Sequence, residues 1–280
     1  MQPTRIACVR YLNTQPLING LDRVQGLTLL PAVPSAIGAM VASGDADVGL
    51  ASIVDAVTVN PSLSLIPVGM IGSDGPTLTV RIFSSVPIDR ITVLHADTES
   101  HTSVVLAQLI LGTRYGIRPT ITPHNPAVGD AWPAAVLLIG DKVVTNHPPE
   151  SHFPHQLDLG EAWHSLTGLP FVYAMWMCRS AEVDTPAIRL ASSLLDRQLR
   201  HNLGRMEWIT TTQAPLCGWP IDLARRYLGQ YLRFQVGERE QAAATEFFRR
   251  AAAHKLLPER VPQWATPIGT QQADGPSVRG

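Results

Sequence analysis

The run Ser100-His101-Thr102-Ser103 is the part of this 280-residue sequence whose residue types most directly suggest binding chemistry. It stands between an apolar run at 91–94 and a helical pattern at 104–112, so three hydroxyls fall where a strand turns into a helix. Free backbone N–H groups and the helix dipole favour negative charge at such a junction. Ser100, Thr102 and Ser103 are therefore candidates to cradle a carboxylate, and equally good candidates to cap the helix. Asn13 and Thr14 carry the same double reading: helix N-caps by type, cleft residues by position after the first apolar run. Ser35, following Pro34, reads as a helix start and a plain N-cap. Ser52 ends a short apolar run, where it faces either a turn or a cleft. Thr77 and Thr79 fall on a stretch that β propensity alone explains. Asp141 closes the buried run 134–139 and reads as support for a neighbouring side chain rather than as a catalytic acid.

Other chemistries find little footing. Cys8, Cys178 and Cys217 are far apart with no CxxC spacing, which argues against a disulfide framework and a zinc site. His147, His152 and His155 lie among Pro148, Pro149 and Pro154, a context for an irregular loop rather than for convergent metal ligands. His95 and His101 are lone histidines without a readable partner. Asp45 and Asp47 do not form a dyad, because Asp45 stands in the turn before the strand that Asp47 opens. No Gly-x-Ser-x-Gly elbow, Walker loop or Gly-x-Gly-x-x-Gly run is present. The expectation is a site with no metal and no cofactor.

The elements that must position these residues follow from pattern. Short strands are expected at 5–9, 27–30 and 47–51, with helices from about Pro16 and from Pro34 to Gly44, a βαβ arrangement with parallel strands. Further strands are expected at 64–71, 78–84, 91–94, 134–139 and 171–178, and a loop at 147–155. Helices without intervening strands fill 184–203, 213–234 and 238–256. The chain thus leaves one α/β lobe, builds a second and returns, which places a ligand in the crevice between them. The expected lobes are 1–78 with 177–264, and 79–176, followed by a flexible tail at 265–280. Charged residues are only 16% of the chain, against roughly 25% in ordinary domains, and the net charge is −1. No basic field exists to hold nucleic acid or an anionic membrane. The longest apolar run, 171–178, is far short of the roughly 20 residues of a membrane span. Strand-like sequence begins by Arg5, which leaves no room for a signal peptide, so a cytoplasmic location is expected. A homodimer is among the assemblies this reading allows.

An ordered set of motifs resembles a known family. Arg5-Ile6, Tyr11-Leu12-Asn13-Thr14-x-Pro16-Leu17, Val33-Pro34-Ser35, Gly44-x-x-Asp47-Val48 and Gly75-Pro76 are followed by Ser100-x-Thr102-Ser103, Ile139-Gly140-Asp141, Asp158-Leu159-Gly160-Glu161-x-Trp163 and Thr167-Gly168-Leu169-Pro170-Phe171-Val172. Each motif is weak alone; their order over about residues 5–180 resembles the chorismate dehydratase family of the futalosine route to menaquinone. The resemblance implies an α/β, two-lobe fold of the type II periplasmic-binding-protein kind, with an inter-lobe cleft and a helical C-terminal third. It also implies elimination of water from chorismate to give 3-[(1-carboxyvinyl)oxy]benzoate. Carried over, Asn13 becomes the catalytic residue, aligning the leaving hydroxyl or a carboxylate. Thr14, Ser35, Ser52, Thr77, Thr79, Ser100, Thr102, Ser103 and Asp141 become substrate-binding residues. Three positions depart from the family pattern: Arg10 stands for a small residue, Thr79 for serine and His101 for arginine. Two other readings stay open on the sequence: a non-catalytic cytoplasmic carboxylate-binding protein of the same fold, and the related dihydroxynaphthoate-forming enzyme of the same route.

Overall fold

The computed structural model describes residues 2–125, 129 and 131–266. Two sheets organise the chain. The first takes β1 (Thr4–Cys8), β2 (Leu27–Pro31) and β3 (Val48–Ser52) in parallel, with α1 (Gln15–Ile18) and α2 (Pro34–Ser43) as crossovers. A four-residue helix, α3 (Asp55–Thr58), leads into β4 (Leu63–Ser73). The chain then passes to a second sheet built from β5 (Val80–Ser84), β6 (Val93–Asp97), β7 (Thr120–His124), β8 (Ala135–Ile139) and β9 (His155–Asp158). Its spatial order is β7-β6-β8-β5-β9, with α4 (His101–Arg114) joining β6 to β7 and α5 (Lys142–Thr145) following β8. After α6 (Leu159–Thr167), β10 (Phe171–Arg179) returns to the first sheet and lies antiparallel between β3 and β4.

The C-terminal third packs on the first sheet as α7 (Pro186–Leu203), α8 (Met206–Gln213), α9 (Ile221–Arg226) and α10 (Glu238–Ala253). The expected single helix over 213–234 is broken. Pro215 opens a 3-10 turn, Gly218 turns left-handed at φ 74°, and Pro220 restarts the chain before α9. A π-helical turn, Tyr227–Tyr231, follows, and then β11 (Leu232–Arg233) pairs with β4. Strand β11, with β12 (Gln263–Trp264) also on β4, corrects the expectation of a C-terminal third without strands. Ala265 donates to Leu65 O at 2.8 Å and so is pinned to the sheet; the rest of the expected tail, 267–280, lies outside the described residues.

Two local features set the spacing of these layers. Gly49, in the middle of β3, faces α2, where an added Cβ would stand 2.5 Å from Ile37 Cγ2 and 2.7 Å from Val41 Cγ2. The absent side chain lets helix and sheet approach closely. The passage between sheets is held by Asp158, the last residue of β9. Its buried carboxylate caps α6 through Gly160 N (3.0 Å) and Glu161 N (3.1 Å), and accepts Thr77 N (3.0 Å) and Leu78 N (2.8 Å) from the crossing chain. That grip accounts for a correction. Leu78 adopts φ 66° and Thr79 N closes onto Thr77 O, so Thr77 and Thr79 stand in a tight turn before β5 rather than on a strand.

Smaller departures have equally local causes. Ser35 is not an N-cap: Pro34 takes the first helical position, where its missing N–H costs nothing, and Val33 is the cap. The α4 helix starts at His101, three residues before its apolar pattern, because Ser100 caps it. The proline-rich stretch is irregular to Pro154, but His155 already belongs to β9. Strand β7, with its polar Thr-Ile-Thr-Pro-His composition, has no apolar signature to give it away.

Candidate functional site

A cleft of about 610 Å³, open mouth included, lies where the carboxyl ends of β1, β3, β6 and β8 face one another between the sheets. Asn13 enters it from the 3-10 turn Leu12–Thr14. Thr14 does not line the cleft. Its hydroxyl donates to Val9 O (2.9 Å) and Tyr11 O (2.8 Å) and so fixes the turn that presents Asn13. Neither side chain caps α1, so the ordinary capping reading fails here. The Asn13 Oδ1 atom is buried with no hydrogen-bond partner. A buried acceptor left unmade costs about 1–3 kcal/mol, a penalty that a ligand's hydroxyl would remove.

The opposite wall is the β6–α4 junction. Ser100 accepts Ser103 N at 3.1 Å as the helix cap and donates its own hydroxyl hydrogen to Ser103 Oγ at 2.8 Å. Both line the cleft, so capping and cleft-lining coexist. Thr102 faces away, fully buried, with an unpartnered hydroxyl. Ser52, Thr77 and Thr79 complete the hydroxyl lining, whereas Ser35 stays outside and its neighbour Pro34 touches the cleft instead. Asp141 lies just behind the lining residue Gly140. It accepts Trp219 Nε1 (2.9 Å) and Leu12 N (3.3 Å), tying the end of β8 to the Asn13 turn and to the C-terminal third. Burial pushes its carboxyl up to about 6.

Four polar lining residues are not among the expected site residues: Tyr11, Glu99, Tyr173 and Tyr227. Tyr11 sits inside one motif already singled out and Glu99 directly precedes another, yet nothing in their spacing shows that they meet. Tyr11 donates its hydroxyl to Glu99 across the cleft. Lys142 Nζ lies 3.2 Å from the same carboxylate and 3.0 Å from Asp97, whose own carboxyl burial pushes upward against the lysine's pull. Tyr173 belongs to an apolar strand, and Tyr227 to the π-helical turn. The Tyr227 hydroxyl is 2.6 Å from Thr79 Oγ1, and its ring stacks on Trp219 at 4.7 Å and 15°.

A sequence model of a family described as "Menaquinone biosynthesis" matches residues 4–253. The chain belongs to this family. A chorismate dehydratase from Thermus thermophilus is 28% identical over 266 residues, which is 88% of this chain and 94% of that protein. Among solved structures, a Candida albicans protein described as having the generic periplasmic binding protein structural fold matches at TM-score 0.67 and 10% identity, covering 99% of each chain. The alkanesulfonate-binding protein of Xanthomonas axonopodis pv. citri matches at TM-score 0.61 and 14% identity, covering 94% of this chain and 97% of that one. These two likenesses establish a periplasmic-binding-protein-like fold.

In this menaquinone-biosynthesis protein the cleft is poor in charge. Among the described residues Glu99 is the single charged one that lines it, and Lys142 and Tyr11 hold that carboxylate. His101, where the family resemblance places arginine, stays outside the lining. It is not a lone histidine: its Nδ1 is 2.7 Å from Oδ1 of buried Asp55 on α3, a second link between the two sheets' helices. That hydrogen bond raises the imidazole's pKa, while burial raises that of Asp55. Arg10 is exposed and also outside the lining. No group of three or more His, Cys, Asp or Glu side chains converges as a metal site among the described residues. His147 instead stacks on Phe83 at 5.7 Å. No helix among the described residues is long and apolar enough to cross a membrane.

Proposed function

We propose that this chain is a hydro-lyase acting in the cytoplasm on chorismate, releasing water and 3-[(1-carboxyvinyl)oxy]benzoate. The observation that carries the reading is the buried, unpartnered Oδ1 of Asn13, a residue lining a charge-poor cleft that Ser100, Ser103, Thr77 and Thr79 also line. The relation to the Thermus thermophilus chorismate dehydratase supports the choice of substrate.

The chemistry suits such a cleft. The C3 proton of chorismate is vinylogous to the ring carboxylate, so a carbanion at C3 is delocalised, and loss of the C4 hydroxyl completes an aromatic ring. The protein must hold two carboxylates, exclude water and fix the reacting conformation. The substrate's own enolpyruvyl carboxylate removes the C3 proton. Asn13 Oδ1 accepts the C4 hydroxyl hydrogen and so orients the C4–O bond for departure. Hydroxyls and backbone N–H groups at the start of α4 bind one carboxylate without a buried cation. Movement of the two lobes about the β4–β10 region opens and closes the cleft.

Incubating the purified protein with chorismate tests this. New benzoate absorbance supports the lyase. Saturable binding without product would assign a carboxylate-binding protein, and a dihydroxynaphthoate product from a late-pathway substrate would assign the related enzyme.

A further inference from the structure

Elimination leaves one proton to be placed. C3 gives up a proton to the enolpyruvyl carboxylate, but the oxygen leaving C4 departs as hydroxide unless a donor meets it. The acid formed at the enolpyruvyl group holds that proton on the C3 side, and a donor on the cleft wall would meet the oxygen at C4 directly as it leaves. Glu99 is already held as an acceptor by Tyr11 and Lys142, which also commits the Tyr11 hydroxyl, and the Tyr173 hydroxyl stands beside Ser73 against Gly160 at the start of α6. An asparagine amide is no acid, and threonine and serine hydroxyls are weaker acids than a phenol.

Tyr227 has the required position. Its side chain lines the cleft while being fully shielded from solvent. Its hydroxyl contacts Thr79 at 2.6 Å, and Asn13 lines the same cleft. Trp219 stacks flat against the ring and is itself fastened to Asp141 at 2.9 Å, so the phenol has little freedom to turn away. The backbone beneath it is the π-helical turn Tyr227–Tyr231, a rare irregularity that is frequent at functional sites.

We propose that Tyr227 is the proton donor to the hydroxyl leaving C4, an assignment that rests on the dehydratase reading above. The step balances. As the C4–O bond breaks, its electron pair leaves with oxygen, which takes the phenolic proton and departs as water. The C3–H pair becomes part of the aromatic ring. The resulting phenolate recovers a proton from the newly formed enolpyruvyl carboxylic acid, so the enzyme returns to its starting state. No oxidant, reductant or further reactant is consumed. Burial raises the phenol's pKa, which keeps the hydroxyl protonated and ready at neutral pH. Transfer to hydroxide is still downhill, since a phenol is a stronger acid than water.

Tyr227→Phe keeps the ring and its stack on Trp219 while removing the acid. The expected result is a kcat lower by about 100-fold or more, the usual worth of a general acid. KM should stay within about threefold, as for an interaction made only in the transition state. Tyr231→Phe, in the same π turn but outside the cleft, should retain wild-type rates. Replacing Tyr227 by a series of fluorinated tyrosines supplies a readout that a structural role would not move: log kcat should rise steadily with the acidity of the phenol. A Tyr227→Phe enzyme with near-normal kcat, a rise in KM alone, or a flat fluorotyrosine series would each overturn the proposal. Wild-type protein that leaves chorismate unchanged would instead sink the dehydratase reading, and the proton-donor assignment with it.

Discussion

Asp158 offers the sharpest test of how the cleft is built, because one buried carboxylate joins the second sheet, helix α6 and the crossing chain that carries Thr77 and Thr79. Its Oδ1 accepts Gly160 N and Glu161 N, and its Oδ2 accepts Leu78 N at 2.8 Å and lies 3.3 Å from Arg81 Nη2. Asp158→Ala removes every one of these acceptors. Two unpaired amides at Thr77 and Leu78 cost about 1–3 kcal/mol each, and loss of the cap adds about 1 kcal/mol. That sum approaches the roughly 5–15 kcal/mol total stability of an ordinary protein, so the alanine variant should fold poorly. Asp158→Asn is the more informative change. With its carbonyl in the Oδ1 position it keeps the helix cap, but its amide then points donors at Leu78 N–H and Arg81. The expected loss is about 1–3 kcal/mol in urea unfolding. Turnover of chorismate should fall as well, because the turn, released at Leu78 while Thr77 N stays bonded to the carbonyl, no longer fixes Thr79 at the cleft. An asparagine variant within about 0.5 kcal/mol of wild type, the range of an inert surface change, and with normal turnover would refute the assigned role.

Other consequences can be measured independently. Asp141 titrates near 6 because burial disfavours its charge, so its contribution to stability is fully present below the unfolded value near 3.8 and is lost as pH rises through about 6. Asp141→Asn should flatten that dependence, and the difference in Tm between wild type and variant should change most steeply between about pH 4 and 6 and level off above. The His101 imidazole, raised by Asp55, contributes stability at low pH that is lost as pH rises through its folded pKa. His101→Arg should hold the pairing at pH 8.5, seen as a smaller alkaline fall in Tm than wild type shows. Gly49→Ala should destabilise by about 1–3 kcal/mol in thermal or urea unfolding, since the new methyl meets α2 at 2.5 Å.

Much of this molecule was legible from pattern. Parallel strands separated by short helices, with the chain returning to the first sheet through 171–178, follow from apolar runs and the positions of glycine and proline. Hydroxyls at Ser100 and Ser103 and the amide of Asn13 could be placed at the cleft because strand ends and helix starts are where such folds bind ligands. What escaped has a common physical cause. Tyr227 reaches the cleft only because Pro215, Gly218 and Pro220 break the C-terminal helices and a π turn rotates the next segment inward. Helical periodicity carries no trace of that rotation. The links Tyr11–Glu99 and His101–Asp55 join residues 88 and 46 positions apart, set by tertiary packing rather than by local spacing. Thr14 and Thr102 show the reverse error, in which a residue of the right type in the right motif turns toward backbone or core.

The central claim is that a cleft with one held charge eliminates water by fixing its substrate, with the Asn13 amide aligning the leaving group. Parallel measurement of chorismate binding and turnover in wild type and Asn13→Ala tests it directly. The account predicts that the variant still binds chorismate, within about tenfold of wild type, while turnover falls by a factor of about 100 or more, as for loss of an electrostatic contact made in the transition state. Near-normal turnover by Asn13→Ala would contradict it.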